Sequence, residues 1–326
     1  MAERKIGFLH TGTKASFQEH YAAFVHRLDE FVEPDEIEIV ERWAGDDPSK
    51  SLEQHAKALA NENIDVLVSA GGPPAAKAAK KATARNKVPV IFTSVTDPVG
   101  LGLVQSLDNP RGNLTGIAGM TSELDVPRLE ILCELLAGRK KKPTIGVLNN
   151  AYRPGLDGQY KKLEAAAREL GAKLVRLDVA DLAGIQSAFA SIKKAKPVDA
   201  ILVTADSLFN NLRHDVVKFA GSIPAIYQWR EFAEIGGLMS FGSNIIDAYE
   251  QAAEYVGHIL DGDAPSDLPV SLPDRYELVI NLRVAHKNDV TMPASLLCNA
   301  DFVRNRLRRR RASGSGPSPR KTRRHR

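Results

Sequence analysis

The sequence predicts an α/β protein of two lobes, each a parallel sheet covered by helices. Apolar runs of strand length alternate with amphipathic helical stretches from residue 5 to residue 93, and a second alternation of like length restarts at residue 143. Such βαβ alternation places the strands in parallel with helices on the sheet faces. A third observation concerns function. The predicted strands close on small hydroxyl residues, glycines, amides or Asp, and strand ends of this kind share the sheet edge where ligands meet open α/β proteins.

The elements follow in order. KIGFLHTG (5–12) is an apolar run closed by Thr-Gly and reads as the first strand. Phe17, Tyr21, Phe24, Leu28 and Phe31 recur at helical spacing, which predicts a helix over 17–31. EIEIVERWA (36–44) alternates as a strand, and SLEQHAKALANEN (51–63) reads as a helix with Ser51 at its N-cap. IDVLVSAGG (64–72) is a strand ending in Gly-Gly. The prolines of PPAAKAAKKATARN suit a first helical turn. VPVIFT is the next strand. In the second half, strands are predicted at 143–150, 172–179, 198–206 and 223–229, with helices at 158–171, 181–194 and 207–220. Residues 245–262 form one more amphipathic helix, and 276–290 a last strand running into a short helix.

The 326 residues suffice for two domains of ordinary size, and 43% apolar with 26% charged residues is a globular composition. No apolar run reaches the roughly 18 residues of a membrane span. The start, MAERKIGFLHTG, enters a strand directly, without the basic and apolar regions of a secretory signal, so the chain reads as cytoplasmic if that start is genuine. The net charge of +4 conceals an asymmetry. Residues 304–326 hold eleven Lys and Arg and no acid, so the rest of the chain carries −7. That tail is rich in Gly, Ser and Pro and cannot bury a core. Its charge suits anionic lipid or nucleic acid, and a solvated end explains it as well. Cys133 and Cys298 lack metal-type spacing and read as one disulfide or as two inert thiols.

Catalytic motifs are absent from the sequence. There is no P-loop, no H-E-x-x-H, no C-x-x-C and no G-x-S-x-G elbow. Gly100 and Gly102 begin a G-x-G, but Gln105 stands where the third glycine belongs. No cofactor, no metal and no catalytic residue is predicted. What recurs is polarity at strand ends: Thr11-Gly12, Ser69 to Gly72, Ser94 to Asp97, Asn149-Asn150, Thr204 to Asp206 and Tyr227 to Trp229. Free N–H groups at the following helix N-termini attract carboxylates. Asp97 and Asp206 suit an ammonium, and Tyr152, Tyr227 and Trp229 supply flat apolar walls. The set predicts an amino-acid-like or other small polar organic ligand. Each member also has a structural explanation: Asp97 and Asp206 as helix caps, Ser94 and Thr96 as local backbone acceptors, Gly71 and Gly72 as a turn, and the aromatics as packing.

SVTDPVGLGLVQSLDNPRGNLTGIAG (94–119) resembles the signature of the ABC-transporter substrate-binding protein family that includes tryptophan- and tyrosine-binding members. The match extends through RPGLDGQYKKLEAAARELG, TADSLFNN, the stretch from IPAIYQWREF to APSDLPV, and YELVINLRVAHKNDVTMPASLL, covering residues 5–302. The resemblance implies a periplasmic-binding-protein-like type I fold, with two doubly wound α/β lobes joined by three hinge crossings and closing on a ligand. It divides the chain into an N-terminal lobe (1–117 and 243–265), a C-terminal lobe (118–242 and 266–303) and the basic tail. It implies a glycine-bearing helix after Asp97, an ABC permease as partner and a periplasmic location. The cleft residues it implies are Thr11, Ser69, Gly71, Ser94, Thr96 and Asp97 from the first lobe, with Asn150, Asp206 and Tyr227 from the second. Tyr152 joins them from the reading of the residues. A cytoplasmic ligand sensor on the same fold, and an enzyme with a cleft active site, are the competing readings.

Overall fold

The computed structural model describes residues 4–45, 50–119, 123–153, 155–194, 197–273 and 275–304. Its first sheet comes from β1 (Arg4–His10), β2 (Ile37–Trp43), β3 (Val66–Ala70), β4 (Val90–Val95) and β5 (Leu114–Ala118). All five strands are parallel, in the order β2-β1-β3-β4-β5. Helices α1 (Gln18–Leu28), α2 (Leu52–Ala60) and α3 (Pro73–Ala82) make the crossovers. β3 is buried at every position because helices cover both faces of the sheet. Ser51 caps α2 in a reciprocal box. Gln54 N donates to Ser51 Oγ (3.3 Å), and Ser51 N donates to Gln54 Oε1 (2.7 Å).

The second sheet has seven strands. It is assembled from α4 (Asp125–Leu136), β6 (Thr144–Asn150), α5 (Leu156–Glu169), β7 (Lys173–Val179), α6 (Leu182–Lys194), β8 (Ala200–Val203), α7 (Ser207–Asn211), α8 (Arg213–Ala220), β9 (Ala225–Tyr227), α9 (Arg230–Glu234) and β10 (Met239–Ser243). After α10 (Ile245–Leu260) come β11 (Tyr276–Asn281), α11 (Leu282–Lys287), α12 (Ala294–Cys298) and β12 (Phe302–Arg304). The order is β12-β11-β10-β9-β8-β6-β7, with only the β10–β11 pair antiparallel.

The chain passes between the sheets three times. β5 closes the first sheet and leads to α4 under the second. β10 lies in the second sheet, but α10 returns to pack on α1 and the first sheet. Residues 268–271 then run beside β5, where Ser271 N donates to Gly116 O (2.9 Å) and Ala118 N to Ser271 O (2.8 Å), before β11 re-enters the second sheet. Arg128 of α4 staples this region. It is fully buried, with Nε on the Phe241 carbonyl (2.7 Å) and Nη1 on Asp125 (2.7 Å).

Several features depart from the sequence expectations. The glycine-bearing helix after Asp97 does not form. Residues 98–105 are successive turns, with Gly102 at φ +65° and Leu103 N on the Pro98 carbonyl (2.9 Å). The helix predicted over 207–220 breaks at Leu212, where φ −102° and ψ 21° leave the helical region. α4, α9, β10, α12 and β12 were not predicted. Among the described residues no helix is long and apolar enough to cross a membrane, and Cys133 and Cys298 are both free thiols. The tail from residue 305 lies outside the described residues.

Candidate functional site

The C-terminal ends of β1, β3 and β4 face those of β6, β8 and β9 across a cavity of about 630 Å³. That volume is within the range of small-molecule pockets. Apolar wall comes from Phe17, Leu101, Trp229, Ile245 and Tyr249, and charge from Asp97, Asp206, Lys77 and Arg153.

Seven of the ten sequence-predicted site residues line this cavity: Gly71, Ser94, Thr96, Asp97, Asn150, Tyr152 and Asp206. Three do not. Tyr227 is buried and stacks on Phe232 with ring centroids 4.8 Å apart. Tyr227 is the last residue of β9 and packs in the core, while Trp229 lies past the strand end, at the N-cap of α9, and reaches the wall. Ser69 is fully buried within β3. Thr11 turns its hydroxyl onto the Gly71 carbonyl (3.2 Å). Gly71 itself sits at φ +92°, and a Cβ there would collide with the Thr11 hydroxyl, so the close approach of two strand ends requires glycine.

Local structure determines how the wall is presented. Ser94 and Asp97 adopt φ +52° and +49°, uncommon for non-glycine residues. Asp97 Oδ1 accepts from Gly100 N (2.8 Å) and so caps a turn rather than a helix. α3 starts at the wall, but its first two positions are Pro73 and Pro74. Both lack an N–H, so the expected row of free donors is shortened there. Across the cavity, Asp206 Oδ1 accepts from Leu208 N (2.9 Å) and from Asn150 Nδ2 (3.0 Å), and Asn150 Oδ1 accepts from Tyr152 N (3.0 Å). This chain of bonds fixes the β6 and β8 ends relative to one another.

Behind the wall lies a buried network. Gly12 N donates to His10 Nδ1 (2.7 Å), which assigns the ring proton to Nε2 and makes that nitrogen the donor to the Tyr249 hydroxyl (2.8 Å). Burial, aided by the charge of His20, pushes the His10 pKa down to about 3, so the ring is neutral and the assignment is self-consistent. His20 Nε2 meets Glu231 Oε1 at 2.8 Å, joining α1 of the first lobe to α9 of the second. Burial alone would raise the Glu231 carboxyl, but the hydrogen bond and charge of His20, with Arg213 beyond, hold it below the usual range. Arg213 Nη2 adds a bond across the lobes, to the Ser16 carbonyl (2.7 Å).

Sequence reasoning missed Arg153, Gln159, Asn210 and Thr93. All four line the cavity, and each has a buried polar atom with no partner among the described residues: Arg153 Nη1, Gln159 Oε1, Asn210 Oδ1 and Thr93 Oγ1. Buried polar atoms without partners are costly, and four of them share this one wall. No motif announces them. No group of three or more His, Cys, Asp or Glu suited to a metal occurs among the described residues.

Residues 28–304 match the family described as ABC transporter substrate binding protein. The chain belongs to that family. Its members are binding and transport proteins, typically extracytoplasmic, that take small-molecule ligands and work with an ABC permease. A tyrosine-binding protein of Clostridioides difficile (strain R20291) is 30% identical over 217 residues, 66% of this chain and 60% of that protein. The chain therefore aligns with less than two thirds of that relative. Among solved structures, the ABC domain in complex with L-Trp from Streptococcus pneumonia is 26% identical, with a TM-score of 0.81 over 93% of this chain and 100% of that one. The ligand-free, open form of a substrate-binding protein from Clostridium difficile, 25% identical, gives 0.65 over 92% of this chain and 99% of that one. The two-lobe periplasmic-binding-protein-like type I fold expected from the sequence is the fold of these neighbours.

Proposed function

We propose that the protein is the solute-binding component of an ABC import system, taking an amino acid with an aromatic or branched side chain and releasing it unchanged. The observation that carries this reading is the composition of the cavity wall. Two carboxylates, two cations and four unmet polar atoms surround a largely apolar space. A zwitterionic headgroup on an apolar body satisfies both sets of groups. The tyrosine-binding relative and the L-Trp complex support the same ligand class. The higher similarity to the L-Trp complex than to the open form supports a closed arrangement of the lobes. In this reading residues 1–117 with 243–265 form one lobe and 118–242 with 266–303 the other. Closure is driven by tighter binding to the shut state, and the site is extracytoplasmic with a permease as partner.

The test is a thermal-shift screen over the twenty amino acids, aromatic acids and nucleosides. A ligand at 100 times its Kd stabilises by about 2.7 kcal/mol, a readily visible shift. One or a few aromatic or branched amino acids are expected to raise the melting temperature. A shift produced by nucleosides alone, or by none of the panel, refutes the reading, as does turnover of the bound compound.

A further inference from the structure

We infer that Arg153 grips the carboxylate of the ligand while Asp206 and Asn210 take its ammonium, so that the second lobe alone holds the headgroup. This rests on the amino-acid reading above. Three observations lead to it.

The first is charge. Arg153 stands in the β6–α5 turn at the cavity wall, and its Nη1 is buried with no acceptor among the described residues. A nearby carboxylate is the buried Asp125, on which the Arg153 charge acts. Asp125 Oδ1, however, is bonded to the fully buried Arg128 at 2.7 Å, and that pair is neutral as a unit. The guanidinium of Arg153 is therefore left with an uncompensated charge and an unmet donor. A carboxylate satisfies both, through bonds about twice as strong as neutral ones. Lys77, the other cation of the wall, is exposed and solvated, so water already meets its needs.

The second is the complementary pair of acceptors. Asn210 is 3% exposed, and its Oδ1 has no donor among the described residues. One turn earlier, Asp206 spends Oδ1 on Leu208 N and Asn150 Nδ2, and no protein donor meets its Oδ2 among the described residues. An ammonium brings three donors and a positive charge, which match one carboxylate oxygen and one amide oxygen.

The third is spacing. Asn150 Nδ2 bonds Asp206 directly, and the Arg153 backbone N–H donates to the Asn150 carbonyl (3.1 Å). The segments that carry the anion-binding and cation-binding groups are thus tied together through Asn150. The first lobe then contributes Phe17, Leu101 and the Gly71–Pro74 corner as a cover.

The test uses the full chain with L-tryptophan and L-tyrosine, their decarboxylated amines tryptamine and tyramine, and indole-3-propionate, which lacks the ammonium. Binding is measured by calorimetry for the wild type, Arg153→Gln, Arg153→Lys and Asn210→Leu. The wild type is expected to prefer the amino acid over its amine by at least 100-fold. Arg153→Gln is expected to cut that preference below tenfold while moving amine affinity by less than threefold. Arg153→Lys, which keeps charge but loses the fork, falls between them and keeps the inference testable should Arg153→Gln fold poorly. Asn210→Leu is expected to weaken tryptophan at least tenfold and leave indole-3-propionate nearly unchanged. Equal weakening of tryptophan and tryptamine in both Arg153 variants overturns the assignment and leaves the amino-acid reading standing. A wild type that binds none of the amino acids overturns both.

Discussion

His10 gives a prediction whose size follows from the structure. The ring is neutral, wholly buried and locked between the Gly12 N–H and the Tyr249 hydroxyl. Its pKa falls from 6.5 to about 3 on folding. Below pH 6.5 the unfolded chain takes up a proton that the folded chain refuses, so the contribution is complete above pH 6.5 and is lost as pH falls toward 3. At pH 5.0 the gap from 6.5 is about 1.5 pH units, and each unit is worth about 1.36 kcal/mol, so about 2 kcal/mol is lost relative to pH 7.5. Other groups titrate over the same interval, so the informative quantity is the difference between wild type and His10→Gln. The amide of that variant keeps a donor for Tyr249 but carries no proton equilibrium. Denaturant unfolding followed by Trp fluorescence at both pH values gives the two stabilities. The wild type is expected to lose about 2 kcal/mol more than the variant. A difference that does not change with pH would show that His10 titrates normally, and the assigned tautomer and the neutral network behind the cavity would fall with it.

Two further outcomes are expected. Asp206→Ala removes the α7 cap and costs about 1 kcal/mol of stability, whereas Asp206→Asn retains the cap and loses only the charge. Both are expected to weaken amino-acid binding at least tenfold by calorimetry, and unchanged affinity in Asp206→Asn would leave Asp206 a purely structural role. Gly242→Ala places a methyl against the Gln228 carbonyl, backbone on backbone beside Arg128. It is expected to destabilise by about 2 kcal/mol in denaturant unfolding, and a neutral result would mean that β9 and β10 shift apart freely.

Much of the fold was legible because each strand is an apolar run ended by a polar signal, as KIGFLHTG and IDVLVSAGG illustrate. The N-cap at Ser51 was readable, whereas its reciprocal partner Gln54 was not read. α4 was missed although its Leu129, Leu132, Leu135 and Leu136 are core residues. Arg128 in its first turn reads as a surface residue and is instead the buried staple of the crossing region. The family resemblance implied a helix after Asp97, but turns form there, with Gly102 at positive φ. At the site, strand-end polarity located the cavity wall in both lobes. It carried no information on facing, which is why Tyr227, read as a wall beside Trp229, lies in the core instead. Arg153, Gln159 and Asn210 lie in a turn and on helices with no motif around them. Only the packing of two lobes makes their unmet atoms visible.

The bonds from Arg213 to Ser16 and from His20 to Glu231 span the two halves without touching the cavity contents. Under the closure proposed above, such a clasp favours the shut arrangement whether or not a guest is present, so the guest supplies less of the closing free energy.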